Sequence, residues 1–146
     1  MDHITNGDFS TGKLDPWRPV LGSTIDIAEE DGRYHAVFGS SDKLNQRVRI
    51  QNVQPRRFLF TIELKVINGT EEDTGQVHLI WSTNAIFRTY YPAVSDDWTT
   101  TTFDLLISNL ANTNNVEVLV EPRFPKQVLV RSVSLSDELD EGTEAH

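Results

Sequence analysis

Phe58-Leu59-Phe60-Thr61-Ile62-Glu63-Leu64-Lys65-Val66 is the stretch that decides the fold. Phe58, Phe60, Ile62, Leu64 and Val66 fall on one side of an extended chain. Leu59, Thr61, Glu63 and Lys65 fall on the other. A strand turns successive side chains to opposite faces, so a period of two with large apolar residues in phase predicts a half-buried strand.

The same pattern recurs on both sides of it. In Arg47-Val48-Arg49-Ile50-Gln51, Val48 and Ile50 point inward, while Arg47, Arg49 and Gln51 point outward. Pro55 ends that run. Downstream, Val77, Leu79 and Trp81 form an inward set with His78 and Ile80 opposite, and Ile86 to Tyr91 follows until Pro92. Phe103, Leu105 and Ile107 alternate, as do Val116, Val118 and Val120, and a last strand runs from Val128 to about Leu135. Upstream, Ile25 and Ile27 alternate, then Tyr34, Ala36 and Phe38, with the turn Asp31-Gly32 between them. Ile4 to Phe9 reads as a first strand, followed by a turn-rich stretch to Trp17. Asn68-Gly69 reads as a hairpin turn, and Ser108 to Asn115 as an Asn-rich loop.

No long helical period competes with these runs. About ten short strands between turn signals predict an all-β sandwich of two antiparallel sheets. Residues 1–136 make one domain. Residues 137–146 make an acidic tail containing Asp137, Glu138, Asp140, Glu141 and Glu144, with few apolar residues to hold it down.

Composition narrows the function. A chain of 146 residues suits one core. The formal net charge of −9 argues against nucleic acid and anionic membranes, where Lys and Arg must neutralise phosphates. There is no cysteine, which excludes disulfides, thiolate metal sites and cysteine nucleophiles. Met1-Asp2-His3 opens no basic-then-apolar leader, and no apolar run reaches the length of a membrane span. The four histidines, His3, His35, His78 and His146, have no metal-ligand spacing. No nucleophile elbow or phosphate loop occurs, and most carboxylates, such as Glu71, Glu72, Asp73, Asp96 and Asp97, fall in loops. The expectation is a protein that is not an enzyme.

Asn6-Gly7-Asp8-Phe9-Ser10, followed by Gly12 and Trp17, resembles the Asn-Gly-x-Phe-Glu opening of jelly-roll carbohydrate-binding modules of families four, nine and twenty-two, within the galactose-binding-like superfamily. Leu44-Asn45-Gln46-Arg47-Val48 is similar to their Gln-x-Val strand, and Arg57-Phe58-Leu59-Phe60 to the strand after their Pro-Gly turn. Asp97-Trp98-Thr99 is similar to their Trp-Thr segment, and Val130-Arg131-Ser132-Val133-Ser134-Leu135 to their closing strand. The resemblance implies a jelly-roll sandwich, core positions for Trp17 and Trp98, and a cell-surface or extracellular setting. Many such modules hold a structural calcium through the motif Glu and an Asp of the closing strand. Ser10 and Arg131-Ser132 stand at those places, so no cofactor is expected, with a calcium site shifted to Asp8 and Asp137 left open as the disfavoured alternative.

Glycan recognition needs flat rings against sugar C–H faces and planar polar groups against hydroxyls. Trp81, Tyr90 and Tyr91 supply rings, and Arg47, Arg49, Gln51 and His78 supply polar groups. Tyr90 and Tyr91 are adjacent, so one faces inward and the other outward. Two readings stay open. One is a non-catalytic glycan-binding module. The other is a structural, assembly or adhesion domain of a bacterial, spore or phage surface that contacts a surface protein or its own copies as a homo-oligomer.

Overall fold

The computed structural model describes residues 2–39, 41–51, 56–70, 73, 76–81, 86–107, 113–121 and 126–137, with the side chains of Arg56, Trp81, Ile107 and Thr113 outside that description. In chain order the strands are β1 (Arg18–Pro19), β2 (Asp26–Glu30), β3 (Arg33–Phe38), β4 (Leu44–Gln51), β5 (Arg56–Val66), β6 (Gln76–Trp81), β7 (Ile86–Tyr90), β8 (Thr99–Ile107), β9 (Thr113–Glu121) and β10 (Val128–Asp137). They form two five-stranded sheets, ordered β1-β4-β9-β6-β7 and β2-β3-β10-β5-β8. The pairings are antiparallel, and the described residues contain no helix. The all-β sandwich is therefore as the alternation predicts.

Strand β5 carries the core. Phe58, Phe60, Ile62 and Val66 are fully buried, and Leu64 nearly so. The facing sheet answers with Leu44, Ile50, Val77, Leu79, Val116, Val118 and Val120, all buried. Neighbouring β10 adds Val128, Val130, Val133 and Leu135. Removing apolar surface from water is worth about 25 cal/mol per Å², so these two inner faces are the main favourable term holding the sheets together.

Three expectations about local structure are corrected. Ile4 to Phe9 is not a strand. Asn6 and Phe9 both have φ of 56°, in the left-handed region that an extended run does not visit. The segment instead folds into a plug. Ile4, Phe9 and Trp17 are buried, the Trp17 indole Nε1 donates to Asn6 O at 2.9 Å, and the Phe9 and Trp17 rings lie 5.9 Å apart. His3 N donates to Leu135 O at 2.7 Å and Val133 N donates to Gly7 O at 2.9 Å, which ties the plug to β10.

Asn68-Gly69 is not a hairpin turn, because β5 and β6 belong to different sheets. With Gly69 N donating to Val66 O at 2.8 Å, it carries the chain from one layer to the other. The loop expected over residues 108–115 is shorter than read. Thr113 to Asn115 already belong to β9, and Asn114 is buried with Nδ2 donating to Ile50 O at 3.4 Å. Residues 108–112 lie outside the described residues. At the other end β10 continues to Asp137, whose carboxylate meets His3 Nε2 at 2.9 Å, and the expected tail from 138 on lies outside the described residues.

Trp98 is also displaced from its expected core position. Thr99 pairs with inward-facing Leu64, so the residue before it falls on the outer side of the β2-β3-β10-β5-β8 sheet. There its indole Nε1 donates to Glu30 Oε1 at 3.0 Å, and the Arg131 guanidinium lies over the ring at 4.3 Å. Arg131 Nη2 also donates to Glu63 Oε2 at 2.5 Å, and the Lys65 ammonium lies 3.7 Å from Glu30. This network links β2, β5, β8 and β10 across the solvent side of one sheet. His35 packs against Trp98 at 5.7 Å, and burial pushes its imidazole pKa down, favouring the neutral ring.

Two outcomes are expected. A Cβ at Gly7 would lie 2.1 Å from Val133 O, so Gly7→Ala must push the plug off β10 and should lower stability by about 2 kcal/mol or more in urea titrations. The hydrogen bond from Arg131 holds the Glu63 carboxyl below its ordinary value. A depressed carboxylate contributes stability that is complete above the unfolded-state pKa and is lost as pH falls through the folded one. Stability measured from pH 6 down to pH 3 should therefore decline, and Glu63→Gln should flatten that decline.

Candidate functional site

The outer side of the β1-β4-β9-β6-β7 sheet collects most of the polar residues singled out in the sequence. Because Leu44, Gln46 and Ile50 of β4 are buried, Asn45, Arg47, Arg49 and Gln51 must point away from the core. The same parity sends Asn115, Glu117, Leu119 and Glu121 outward from β9, and His78 and Ile80 outward from β6.

Register then places these side chains in rows. Arg47 pairs with Glu117, Glu117 with Ile80, and Ile80 with Phe87, giving one line across four strands. The next row runs Arg18, Asn45, Leu119, His78 and Thr89. Arg49 sits beside Asn115, and Gln51 beside Thr113. From Arg47 to Phe87 there are three inter-strand steps of about 4.8 Å, so the row spans roughly 14 Å. One end is cationic and the other ends in an aromatic ring that is 59 % exposed.

A groove of about 440 Å³ lies along Arg47, Asn115, Val116 and Glu117. A second depression of about 670 Å³ runs over the sheet edge past Arg18, Leu21 and Asn45, and Arg47 lines both. Between the two depressions, Asn45 Nδ2 donates to Glu117 Oε2 at 2.7 Å, which fixes the orientation of both side chains.

His78 plays a different part from the one expected. It lies on this face but is buried, with Nδ1 2.9 Å from Thr89 Oγ1 and Nε2 3.0 Å from Glu121 Oε1. Lys43 Nζ holds the other Glu121 oxygen at 3.1 Å. An ionised carboxylate only accepts, so Nε2 is the donor. Both ring nitrogens are thus engaged, and the Phe87 ring rests against the imidazole at 5.2 Å. His78 braces the platform that Phe87 presents.

The aromatic candidates separate. Tyr90 turns inward, 5.6 Å from Phe60 and 4.8 Å from Phe103, where burial raises its hydroxyl pKa. Tyr91, one residue past β7, is 59 % exposed. The side chain of Trp81 lies outside the described residues. Glu117 and Asn115 are not among the sequence candidates, and Phe87 belongs to the aromatic stretch Trp81 to Tyr91 without being singled out from it. The parity of Ile86-Phe87-Arg88-Thr89-Tyr90 puts Phe87 opposite Tyr90 once Tyr90 is known to be inside. Glu117 and Asn115 become neighbours of Arg47 and Arg49 only through the β4–β9 register.

Asp8 is exposed and its Oδ1 accepts the Ser10 N–H at 3.1 Å, while Arg131 extends its guanidinium to Glu63 and Trp98. Among the described residues no group of three or more His, Asp or Glu side chains could hold a metal.

Comparison with known proteins places this architecture. No protein-family model matches the sequence, and no curated protein matches it. Solved structures do. TmCBM61, determined in complex with β-1,4-galactotriose, is 16 % identical, with a TM-score of 0.67 over 94 % of this chain and 99 % of that one. The second family 16 carbohydrate-binding module is 12 % identical, with a TM-score of 0.65 over 91 % and 98 %. The CBM22-1 xylan-binding domain of Paenibacillus barcinonensis Xyn10C is 11 % identical, with a TM-score of 0.61 over 94 % and 92 %. At these identities the likeness speaks to architecture, and the architecture of this chain is that of the jelly-roll carbohydrate-binding modules.

Proposed function

We propose that the protein is a non-catalytic glycan-binding module whose ligand lies across the outer side of the β1-β4-β9-β6-β7 sheet. The observation that carries this reading is the row Arg47, Glu117, Ile80 and Phe87 beside a groove of about 440 Å³. A pyranose has an apolar C–H face and an equatorial rim of hydroxyls. Phe87 offers a ring to the first, and Glu117, Arg47, Arg49 and Gln51 offer planar acceptors and donors to the second. The platform is set before the ligand arrives, since His78 backs Phe87 and Asn45 orients Glu117. Such preorganisation lowers the ordering cost of binding. The solved structures of like fold support the reading, for two of them are described with galactotriose and as a xylan-binding domain.

The test is a glycan array followed by affinity gel electrophoresis on the hits. Phe87→Ala should weaken binding by about tenfold, the effect of losing one ring contact, with the circular dichroism spectrum unchanged. Tyr91→Ala should weaken it less. Absence of any glycan ligand, or unchanged affinity in Phe87→Ala, overturns the proposal. A stable oligomer in light scattering that dissociates in Phe87→Ala would assign the face to self-association instead.

A further inference from the structure

The arginines of this chain are not used alike. On the opposite face Arg33 and Arg131 both reach Glu63, and at its edge Arg57 lies 3.3 Å from Asp104. On the candidate face, Arg18, Arg47 and Arg49 make no hydrogen bond or ion pair among the described residues. Register puts them together, with Arg18 beside Asn45 and Arg47 and Arg49 following on the same side of β4. Glu117 stands directly across from Arg47, yet it receives Asn45 rather than the guanidinium. In a chain with 22 acidic and 13 basic side chains, a cluster of exposed guanidiniums without carboxylate partners stands out.

From this cluster we infer that the glycan is acidic, a uronate-bearing chain whose carboxylate is taken by Arg47 and Arg49 at the β1–β4 edge of the groove. The inference rests on the glycan-binding reading and adds the ligand's charge to it. A guanidinium presents parallel N–H donors that match a carboxylate two to two, and such charge-assisted bonds are about twice as strong as neutral ones. The layout also fixes polarity. Neutral rings of the sugar chain would lie toward Ile80 and Phe87, and the carboxylate would lie away from Glu117, which would repel it. The net charge of −9 does not oppose this at physiological salt, where the Debye length is about 8 Å and remote acids are screened.

The experiment compares galacturonate, mannuronate and glucuronate oligosaccharides, each beside its carboxyl-reduced counterpart, by calorimetry on the full chain at 0.15 M salt. At least one acid should bind tenfold or more tightly than its reduced form. Arg47→Gln with Arg49→Gln should bring the ratio of acid to reduced-form affinity to within about twofold of one, whatever it does to the binding the two forms share, and both substituted side chains are exposed, so the fold is retained. Equal affinity for every acid and its reduced form, or a preference that survives the double substitution, overturns the inference. If neutral glycans bind through Phe87 under those outcomes, the glycan-binding reading stands alone. If no sugar binds at all, both fall.

Discussion

The closure of two apolar sheet faces on each other is the constraint on which everything else in this molecule depends. Phe58, Phe60, Ile62, Leu64 and Val66 of β5 cannot leave water unless a second layer meets them. That layer is supplied by β4, β6 and β9, strands from separate parts of the chain. The meeting of inner faces sets the direction of every outer side chain, because in an extended strand the two alternate without exception apart from bulges. One such irregularity occurs between Val130 and Ser132 of β10. It lets Arg131 swing over Trp98 while Val133 and Leu135 return to the core.

The two outer faces are then used differently. The β2-β3-β10-β5-β8 side is sealed on itself. Glu30, Lys65, Trp98, Arg131, Glu63 and Arg33 contact one another, although Arg131 Nε and the nearby His35 Nδ1 stay buried without a partner, and the Trp98 indole is covered by a guanidinium. Exposed ion pairs are individually weak, but a guanidinium held between the Trp98 ring and the Glu63 carboxylate is fixed by both. The β1-β4-β9-β6-β7 side keeps His78, bonded to Thr89 and Glu121, against the Phe87 ring and leaves its arginines open. The proposed glycan-binding face rests on this difference, a side whose arginines are engaged against a side whose arginines stay open.

The aromatic residues show where sequence reasoning stops. The sequence singles out Trp81, Tyr90 and Tyr91 as candidate platforms and gives Trp17 and Trp98 to the core. Trp17 went to the core as the resemblance implies, since its indole found Asn6 O and its ring found Phe9. Trp98 went outward because one residue of parity before Thr99 put it there. Tyr90 went inward, and Phe87 took the open position.

By itself the sequence determined the all-β class, the inward set of each long strand, and the outward direction of Arg47, Arg49 and Gln51, since a period of two is a local property that needs no partner. It also located the turn at Asp31-Gly32, whose φ values of 54° and 79° suit those residues. Only the tertiary structure decided that Ile4 to Phe9 is a plug, because its left-handed residues are stabilised by contacts with β10 far along the chain. Likewise only the register of β4, β9, β6 and β7 brought Glu117, Ile80 and Phe87 into line with Arg47. Pairing between strands far apart in the chain, as where Arg47 meets Glu117, is a long-range relation, fixed by how two layers share one core, and no local pattern encodes it.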